Sequence, residues 1–502
     1  MIEYKIRVGI LTGNTGREQY MAGKGNLLRA FIMSKPNQLQ TVLSVAACKG
    51  TRGLLRVTGR GGTALPGKAA RVFAKDILEV TSSGMEIIVV TGTNGKTTTS
   101  RMLEHALTAA GHDCLANKSG ANLLSGVTAE ITCNATWTGK PKTHYAVIEC
   151  DEGALKQVVP LIHPKVIVVT NLFRDQLDRY GEVMHTVEQV RMGIQKAPEA
   201  TLCLNADDSL VASLALDVPN KVVWYGLDTP VGEQKDADIS DAKYCIRCGT
   251  PYQYHYHTYA HLGGFYCPSC GYHREKTQVA VTAIQKISAD GSLVSMRMEL
   301  PADGTCPEKS ETLEVRIGLP AVYNIYNAAA AVCAYTAFGL PADEILPSLA
   351  DVRSSFGRME TFRVGENRVQ MILVKNPAGC NQALAYVASL EEDFNLVFCL
   401  NDRTADGHDI SWIWDADYEQ VMARKQVRHI YVAGDRAEDM QLRLKYAGCE
   451  EEKITLIRDY EKLLEEMRSS TLPCFVLPNY TSMLALRKIL SDATGGSDFW
   501  KG

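Results

Sequence analysis

The sequence predicts a multidomain α/β protein, and three observations support that prediction. Strand-like apolar runs alternate with helix-like segments from residue 85 to 226, which is typical of a mostly parallel sheet with crossover helices. A glycine-rich loop opens this alternation, and a second alternating set begins after Arg358. The chain has 502 residues, enough for about three domains.

The composition excludes several classes of protein. Hydrophobic residues make up 46% of the chain and charged residues 22%, close to globular averages, so wholesale disorder is excluded. A net charge of −4 argues against a dedicated nucleic-acid-binding protein. No apolar run approaches the length of about 20 residues that a membrane-spanning helix needs. The 15 cysteines are mostly scattered singly in apolar strings, which favours reduced thiols in a cytoplasmic protein over a disulfide scaffold.

The N-terminal part of the chain is strongly basic, and Glu3 and Glu18 are the only acidic residues before Asp76. We expect residues 1–37 to be a poorly ordered extension, of which 1–32 are dispensable. Residues 38–57 predict an amphipathic helix interrupted at Gly50 and Gly53, followed by a glycine-rich link at 59–62 and a turn at Pro66-Gly67. The basic stretch from 35 to 75 favours contact with an anionic membrane surface, with a simply solvated segment as the alternative.

A phosphate-binding loop is predicted where an apolar strand ends and a helix begins. Glycines there let backbone N–H groups surround phosphate oxygens, and the helix N-terminus attracts the anion. Lys96 is placed to neutralise the β- and γ-phosphates, and the Thr97 hydroxyl to coordinate Mg²⁺. The predicted nucleotide-binding residues of this loop are Gly92, Thr93, Asn94, Gly95, Lys96, Thr97 and Thr98.

Two CxxC pairs predict a structural zinc site in a ribbon inserted at 243–275. Four thiolates complete a tetrahedral shell, which leaves no open position for catalysis. The predicted ligands are Cys245, Cys248, Cys267 and Cys270. We interpret the neighbouring histidines as surface or packing residues; they are His255, His257, His261 and His273.

The loop string TGTNGKTTT resembles the ATP loop of the Mur ligases and folylpolyglutamate synthases, and further motifs extend the resemblance to residue 380. It implies ATP and Mg²⁺ as cofactors and activation of a carboxylate as an acyl phosphate. By the same resemblance, Glu149 in VIECDEG is a metal ligand and Lys96 a catalytic residue beside it. Asn324 and Asn327 in NIYNAAAA would contact adenine, and Arg358 in FGRME would approach the nucleotide from a hinge.

Departures from the Mur ligase pattern limit the reactions that the chain could catalyse. Gln176 stands where many members have a histidine metal ligand, and no equivalent of the family's carbamylated lysine is evident between Asp178 and Asn205. The DxxHNP signature of an amino-acid-adding ligase reads ILVKNPAG here, at residues 372–379. We therefore expect a second nucleophile other than an amino acid.

The four cysteines, the KNPAG string and the segment NDRTADGHDISWIWD at 401–415 together closely resemble the MurT family, over about residues 38–495. This resemblance implies a Mur-ligase-type central ATP-binding domain at 38–355 and a C-terminal Rossmann-like α/β domain at 356–502. It implies that the chain is the ligase subunit of lipid II isoglutaminyl synthase and forms a heterodimer with the glutaminase GatD. The reaction would amidate the α-carboxylate of D-glutamate in the lipid II stem peptide to D-isoglutamine, in the cytoplasm at the inner face of the cell membrane.

An acidic string follows the first long strand of the C-terminal set. Asp415 fits the N-cap of a helix beginning at DADYEQ. Asp409 is, by resemblance alone, a catalytic residue that completes a Cys-His-Asp triad whose other members lie on GatD. No cysteine of this chain lies on a glycine-flanked elbow, so glutamine-dependent activity requires a partner.

Two alternatives remain open at this point. One is a standalone ATP-dependent amino-acid ligase of the folylpolyglutamate synthase type, against which the four cysteines and the altered DxxHNP string count. The other is an ATP-switched zinc-ribbon protein that binds nucleic acid, against which the scarcity of Lys and Arg in the ribbon counts.

Overall fold

The computed structural model describes residues 36–58, 64–117, 120–174, 183–231, 241–288, 290–299, 311–353 and 358–494. The expectations for residues 1–35, for the glycine-rich link and for Gln176 lie outside these ranges. Within them, no helix is both long and apolar enough to cross a membrane.

A nine-stranded mixed sheet, in the order β11-β10-β9-β6-β5-β4-β1-β3-β2, forms the larger unit. Its strands are β1 (Glu86–Thr91), β2 (Cys114–Ala116), β3 (Tyr145–Glu149), β4 (Val166–Val169), β5 (Thr201–Asn205), β6 (Val222–Leu227), β9 (Val279–Ser288), β10 (Gly291–Met298) and β11 (Glu311–Ile317). In sheet order, the seven strands β2, β3, β1, β4, β5, β6 and β9 pair in parallel. Strands β10 and β11 extend the β9 edge as antiparallel strands. The predicted mostly parallel sheet is confirmed.

Helices on both faces of this sheet bury continuous apolar strands such as Val166–Val169, as a parallel sheet requires. They are α4 (Lys96–Ala109), α5 (Leu124–Asn134), α6 (Leu155–Ile162), α7 (Val183–Ile194), α8 (Ser209–Ala212), α9 (Val322–Ala337) and α10 (Ala342–Ser348). Helix α9 is buried nearly all round, because Ala-rich turns let it pack tightly between the sheet, α4 and α10.

Three helices precede the sheet: α1 (Gln38–Val57), α2 (Ala64–Phe73) and α3 (Ile77–Ser82). Helix α1 begins at Gln38, the predicted start, where Asn37 and Gln40 form a capping box. The predicted interruption at Gly50 and Gly53 is wrong, because α1 runs through both glycines. The predicted turn at Pro66-Gly67 is also wrong. Proline is tolerated in the first turn of a helix, and Gly67 lets α2 approach α5 so closely that a Cβ would lie 1.8 Å from the Ser125 carbonyl oxygen.

A two-stranded antiparallel ribbon, β7 (Gln253–Tyr259) and β8 (Leu262–Tyr266), is inserted between β6 and β9 of the large sheet. The four predicted zinc ligands flank it, two before β7 and two after β8. Its hairpin tip packs at the carboxyl ends of the central strands, where the buried His261 ring contacts Phe173 after β4 and Asp208 after β5.

The C-terminal unit is a six-stranded sheet in the order β12-β13-β17-β14-β15-β16, parallel except for the β12–β13 pair. Its strands are β12 (Arg358–Val364), β13 (Asn367–Ile372), β14 (Phe394–Cys399), β15 (Val427–Ala433), β16 (Ile454–Leu456) and β17 (Cys474–Pro478). Its helices are α11 (Pro377–Ala388), α12 (Glu419–Met422), α13 (Ala437–Tyr446), α14 (Tyr460–Ser469) and α15 (Tyr480–Thr494). The second predicted α/β alternation is confirmed.

Candidate active site

The predicted phosphate loop links β1 to α4 and holds two glycines in the left-handed region. Gly92 has φ +119°, and a Cβ there would lie 2.3 Å from the Thr170 hydroxyl oxygen. Gly95 has φ +88°, and a Cβ there would lie 2.1 Å from Asn327 Oδ1. Both positions therefore require glycine for backbone conformation and for space.

The segment after β4 fixes the shape of this loop. The Thr93 and Asn94 amides donate to the backbone oxygen and Oδ1 of Asn171, at 2.8 and 2.9 Å. The Phe173 amide donates to Thr93 Oγ1 at 3.0 Å. These bonds hold the loop open at the N-terminus of α4, where backbone N–H groups can bind an anion.

Lys96 lies in an acidic and buried setting. Its Nζ donates to Glu152 Oε1 at 3.0 Å and to the Gly92 carbonyl at 2.5 Å. Burial alone would lower the pKa of Lys96, but the carboxylates of Glu152, Glu149 and Asp151 hold that pKa above its ordinary value. Lys96 is therefore a permanent cation at the base of the loop.

Thr97 and Glu149 lie together on the other side of the loop. The Thr97 hydroxyl donates to Glu149 Oε2 at 2.7 Å, and both side chains are buried. Asn117 fixes the Glu149 backbone by donating to its carbonyl at 2.8 Å and accepting from its amide at 2.7 Å. The Thr97 hydroxyl oxygen and the Glu149 carboxylate, at the phosphate loop and beside other acidic side chains, are suitable ligands for a hard cation such as Mg²⁺.

A cleft of about 890 Å³, partly open to solvent, lies between the phosphate loop and the C-terminal unit. Asn324 and Asn327 of α9 line it, with Asn327 Nδ2 donating to Asn324 Oδ1 at 3.2 Å. Arg358, the first residue of β12, lines it from the opposite side. Burial lowers the pKa of Arg358, against the opposing effect of Glu149. The structure thus brings all the predicted nucleotide-binding residues to one region.

The KNPAG string crosses this cleft, a contact that sequence reasoning missed. Asn376 caps α11 by accepting from the Gly379 amide at 2.8 Å, and its Nδ2 donates to Asn94 Oδ1 of the phosphate loop at 3.2 Å. Burial raises the pKa of Glu152, and the charges of Lys96 and Lys375 oppose that rise. Lys375 therefore lies close enough to Glu152 for its charge to act on the carboxylate that pairs with Lys96.

The hairpin tip supports the loop from behind, a role that was also missed. The Tyr259 ring stacks on Phe173 at 5.9 Å between centroids, and the His261 ring lies 4.7 Å from Phe173. His261 Nε2 lies 3.2 Å from Asp208 Oδ1 in a fully buried pair. Tyr259 also lines the cleft. The interpretation of His261 as a packing residue is confirmed.

The four predicted zinc ligands converge. Their sulfur atoms all lie within 4.8 Å of one another, with Cys245–Cys270 at 3.5 Å and Cys248–Cys267 at 3.4 Å. Sulfurs bound to one tetrahedral Zn²⁺ lie about 3.8 Å apart. Gly249 and Gly271 have φ +75° and +73°, and each donates its amide to the carbonyl of the first cysteine of its pair. The two CxxC turns are therefore equivalent knuckles.

Asp409 lies in the loop after β14, on the C-terminal unit. Its Oδ1 accepts from the Ser411 amide at 2.8 Å, and hydrogen bonds from the hydroxyl and amide of Ser411 lower the pKa of Asp409. The predicted N-cap role of Asp415 is wrong. Its carboxylate pairs with Arg174 of the segment after β4, at 2.5 Å, while Asp417 accepts the Gln420 amide at the start of α12. The Asp415–Arg174 pair ties this loop to the loop that shapes the phosphate site.

Comparison with known proteins identifies the family. A relative named the MurT subunit of lipid II isoglutaminyl synthase (glutamine-hydrolysing), from Streptococcus pneumoniae, is 35% identical over 456 residues, covering 90% of this chain and 97% of the relative. The chain belongs to the MurT family. A subunit of the same name from Staphylococcus aureus is 34% identical over 442 residues, covering 88% of this chain and 95% of that protein.

Family models place the MurT domains on the chain. The Mur ligase middle domain matches residues 90–258, and the MurT ligase C-terminal domain matches residues 373–483, which include Asp409. Membership of the MurT family confirms the predicted resemblance. It also decides against the two alternatives, the standalone amino-acid ligase and the nucleic-acid-binding protein.

Solved structures confirm the Mur-ligase-type α/β fold. A pseudomurein peptide ligase type C from Methanothermus fervidus superposes with a TM-score of 0.62 at 19% identity, covering 83% of this chain and 80% of that one. MurF from Acinetobacter baumannii gives 0.59 at 16% identity, covering 84% and 80%. Folylpolyglutamate synthase from Mycobacterium tuberculosis gives 0.54 at 14% identity, covering 87% and 96%. At these identities the likeness shows the fold alone, which the MurT family shares.

Proposed function

We propose that this chain is the ligase subunit of a lipid II isoglutaminyl synthase, converting the α-carboxylate of D-glutamate in the stem peptide to the amide. The observation that carries the proposal is the match to curated MurT subunits over nearly their whole length. The altered KNPAG string supports it, because a ligase that uses ammonia needs no site for a second amino acid.

The loop and cleft are proposed to bind ATP. Backbone amides from Gly92 to Thr98 would surround the β- and γ-phosphates, with Lys96 as the permanent cation among them. Asn324 and Asn327 are proposed to contact the adenine, and Arg358 to reach the nucleotide from β12. Asn324 and Asn327 are buried, Arg358 is half-buried, and all three line one cleft, which supports this assignment.

Thr97 and Glu149 are proposed to hold Mg²⁺. The ion, when bound, would neutralise phosphate charge during transfer. The chain's own cations serve the same end: Lys96 from the loop and Lys375 from the opposite wall both face the reacting phosphoryl region. Cations placed in advance, away from water, stabilise the charge that develops without reorganising.

The proposed reaction has two displacements. A carboxylate oxygen of D-glutamate attacks the γ-phosphorus, and ADP leaves, giving an acyl phosphate. Ammonia then attacks the carbonyl carbon, phosphate leaves, and the ammonia nitrogen loses a proton, giving D-isoglutamine. Lys96 and Lys375 orient the phosphoryl group in both steps.

A structural Zn²⁺ is proposed for the four thiols of the inserted ribbon. The donor set and the sulfur spacing fit a tetrahedral Cys₄ site, and four protein ligands leave none for substrate. The metal would fix the two knuckles and, through them, the hairpin whose tip packs behind the phosphate loop.

A glutaminase subunit of the GatD type is proposed to dock on the C-terminal unit and to supply ammonia. Asp409 would orient the partner's catalytic histidine, as the third member of a triad shared between chains. Exposed aromatic side chains support docking nearby: Trp414 and Tyr446 are 48% and 73% exposed and contact each other at 5.5 Å between ring centroids. Because the substrate is lipid-linked, we place the reaction in the cytoplasm at the inner membrane face.

Product analysis tests the proposal. The protein is incubated with ATP, Mg²⁺, lipid II and ¹⁵N-ammonium, and the stem peptide is analysed by fragment mass spectrometry. We expect one ¹⁵N in the α-amide of D-glutamate and one ADP per amide. Attachment of an added amino acid, or a label at another carboxyl group, would contradict the assignment.

A further inference from the structure

Helix α1 exposes its apolar residues and buries small and polar ones, the reverse of an ordinary surface helix. Its buried side chains are Thr41, Ser44, Val45 and Cys48. Leu39, Leu43, Leu54 and Val57 are 67, 41, 65 and 87% exposed. At 100° per residue these four positions fall within a sector of about 60°, so they form one stripe along the helix.

Helix α2, which packs beside α1, and the loop after α5 expose further large apolar side chains. Leu65, Val72 and Phe73 of α2 are 53, 79 and 44% exposed, and Trp137 after α5 is 59% exposed. Both helices pack on α5 by their other faces, through Cys48 to the Ala129 carbonyl and through Gly67 against Ser125. We call these eight side chains the N-terminal apolar face. They are half of the large hydrophobic side chains exposed among the described residues.

The segment that forms α1 and α2 carries charge of one sign, and one of its arginines, Arg52, pairs with Glu130 of α5 at 2.7 Å. Residues 36–75 contain no Asp or Glu, and their basic residues are Lys49, Arg52, Arg56, Arg60, Lys68, Arg71 and Lys75. The rest of the chain is acidic, since the whole carries a net charge of −4. Lys49 Nζ lies 4.8 Å from the Trp137 ring centroid, so a cation and an indole sit side by side.

We infer that the N-terminal apolar face is a docking surface for an anionic lipid bilayer, with α1 and α2 lying in the plane of the headgroups. Exposed leucine, valine and phenylalanine, on helices that contain Lys and Arg but no Asp or Glu, are typical of helices that lie at a membrane interface. Tryptophan is enriched at the membrane–water interface, and a lysine there is attracted to anionic headgroups. A protein partner with a mixed-charge surface gives no reason for the absence of acidic residues from these two helices.

The inference rests on the proposed function in one respect: a lipid-linked substrate places the enzyme at such a surface. Contact by the apolar face would hold the protein where the substrate headgroup emerges. Binding itself requires neither ATP nor substrate, so it is measured independently of the reaction.

The test is co-sedimentation of the full chain with vesicles of phosphatidylglycerol and phosphatidylcholine in equal parts, and with phosphatidylcholine alone. We expect binding to the anionic vesicles that weakens as salt rises. Leu39→Gln with Leu54→Gln should reduce the partition coefficient roughly tenfold or more. Lys68→Gln with Lys75→Gln should reduce it by at least as much, since each surface lysine adds about fivefold.

Two matched double variants serve as controls. Met184→Gln with Met192→Gln removes exposed apolar side chains from α7, and Lys221→Gln with Lys425→Gln makes the same change in net charge elsewhere. Both should bind vesicles as the wild type does. Ammonium-driven ATP hydrolysis on a lipid-free substrate analogue should be unchanged in all four variants, which shows that they are folded.

Three results would overturn the inference. They are absence of wild-type binding to anionic vesicles, equal binding of the Leu39/Leu54 variant, and a Leu39/Leu54 variant that loses the glutaminase partner or self-association while keeping vesicle binding. If vesicle binding behaves as expected and no amidation is found with any nitrogen source, the proposed function fails and the membrane surface stands.

Discussion

Lys96 and Glu152 show how single side chains define the site. The lysine was evident in the sequence because the GKT string has a fixed relation to the strand before it and the helix after it. Its partner Glu152 was not evident, since 56 residues separate the two and the ion pair depends on β1 and β3 being neighbours. Long-range contacts of this kind have no local periodicity from which to predict them.

Lys96→Ala is expected to abolish ATP hydrolysis and amidation while leaving the fold intact. Losing one charge-assisted contact to the transferring phosphoryl group should cost about 2–4 kcal/mol of transition-state stabilisation. Glu149→Ala should act likewise through loss of the metal. Steady-state kinetics at saturating Mg²⁺ measures both, with Lys165→Ala, which removes an exposed ion pair to Glu86, as the control. Near-wild-type turnover of either variant would contradict the proposed active site.

Gly95→Ala is expected to remove nucleotide binding, whereas Gly50→Ala should stabilise the protein. A Cβ at Gly95 meets the Asn327 side chain and a left-handed backbone, but at Gly50 it meets nothing within 4 Å. The helix interior at position 50 favours alanine by up to about 1 kcal/mol. Equilibrium binding of ATP and chemical denaturation measure the two effects. A Gly95→Ala variant with normal ATP affinity would contradict the described loop.

At the scale of elements, strands and helices with strong apolar periodicity were predicted well, and boundaries marked by glycine or proline were not. Gly50 and Gly53 did not break α1, and Pro66 lies inside the first turn of α2. The energetic cost of a glycine in a helix is about 1 kcal/mol, which the packing of α1 on α2 and α5 exceeds. Asp415 was assigned to its nearest helix, although its partner Arg174 lies 241 residues away.

The inserted ribbon is expected to bind one Zn²⁺ per chain and to support the phosphate loop. Cys245→Ser should lose the metal and loosen the hairpin, because structural zinc contributes folding free energy directly. Since Tyr259 and His261 pack on Phe173, we also expect a several-fold rise in KM for ATP. Elemental analysis and kinetics measure both, with Cys449→Ser as the control, a partly exposed thiol on the C-terminal unit.

A preparation free of metal, with four reactive thiols and full activity, would contradict the zinc assignment. Loss of zinc without a change in KM for ATP would leave the metal site standing and remove its proposed link to the phosphate loop.

At the scale of the whole molecule, the site forms where two units meet. Asn376 of the C-terminal unit bonds the phosphate loop, and the charge of Lys375 acts on Glu152, the partner of Lys96. Arg174 of the central unit pairs with Asp415 in the loop that carries Asp409. Sequence reasoning found the residues on each side and missed these contacts across the cleft. The Arg174–Asp415 ion pair thus links the loop of Asp409 to the segment that shapes the phosphate loop.

Asp409→Asn is expected to impair amidation with glutamine but not amidation with ammonium. Without its carboxylate, the partner's histidine loses its orienting acceptor, and such losses can reach about 10⁴-fold in rate. Glutamine-driven amidation should fall steeply, while ammonium-driven amidation and complex formation persist. Asp402→Asn is the control, since Asp402 lies in the same loop and pairs with Arg436. Equal loss with both nitrogen sources would count against a shared triad and favour a local role in capping Ser411.

The central claim is that this chain forms the amide bond itself and depends on a second subunit for ammonia. Measuring lipid II amidation by the wild-type chain, with glutamine or ammonium and with or without a GatD-type glutaminase, tests it most directly. We predict that ammonium supports amidation by the chain alone and that glutamine supports it only when the glutaminase is present. Amidation from glutamine by the isolated chain, or failure with ammonium in every combination, would contradict the account.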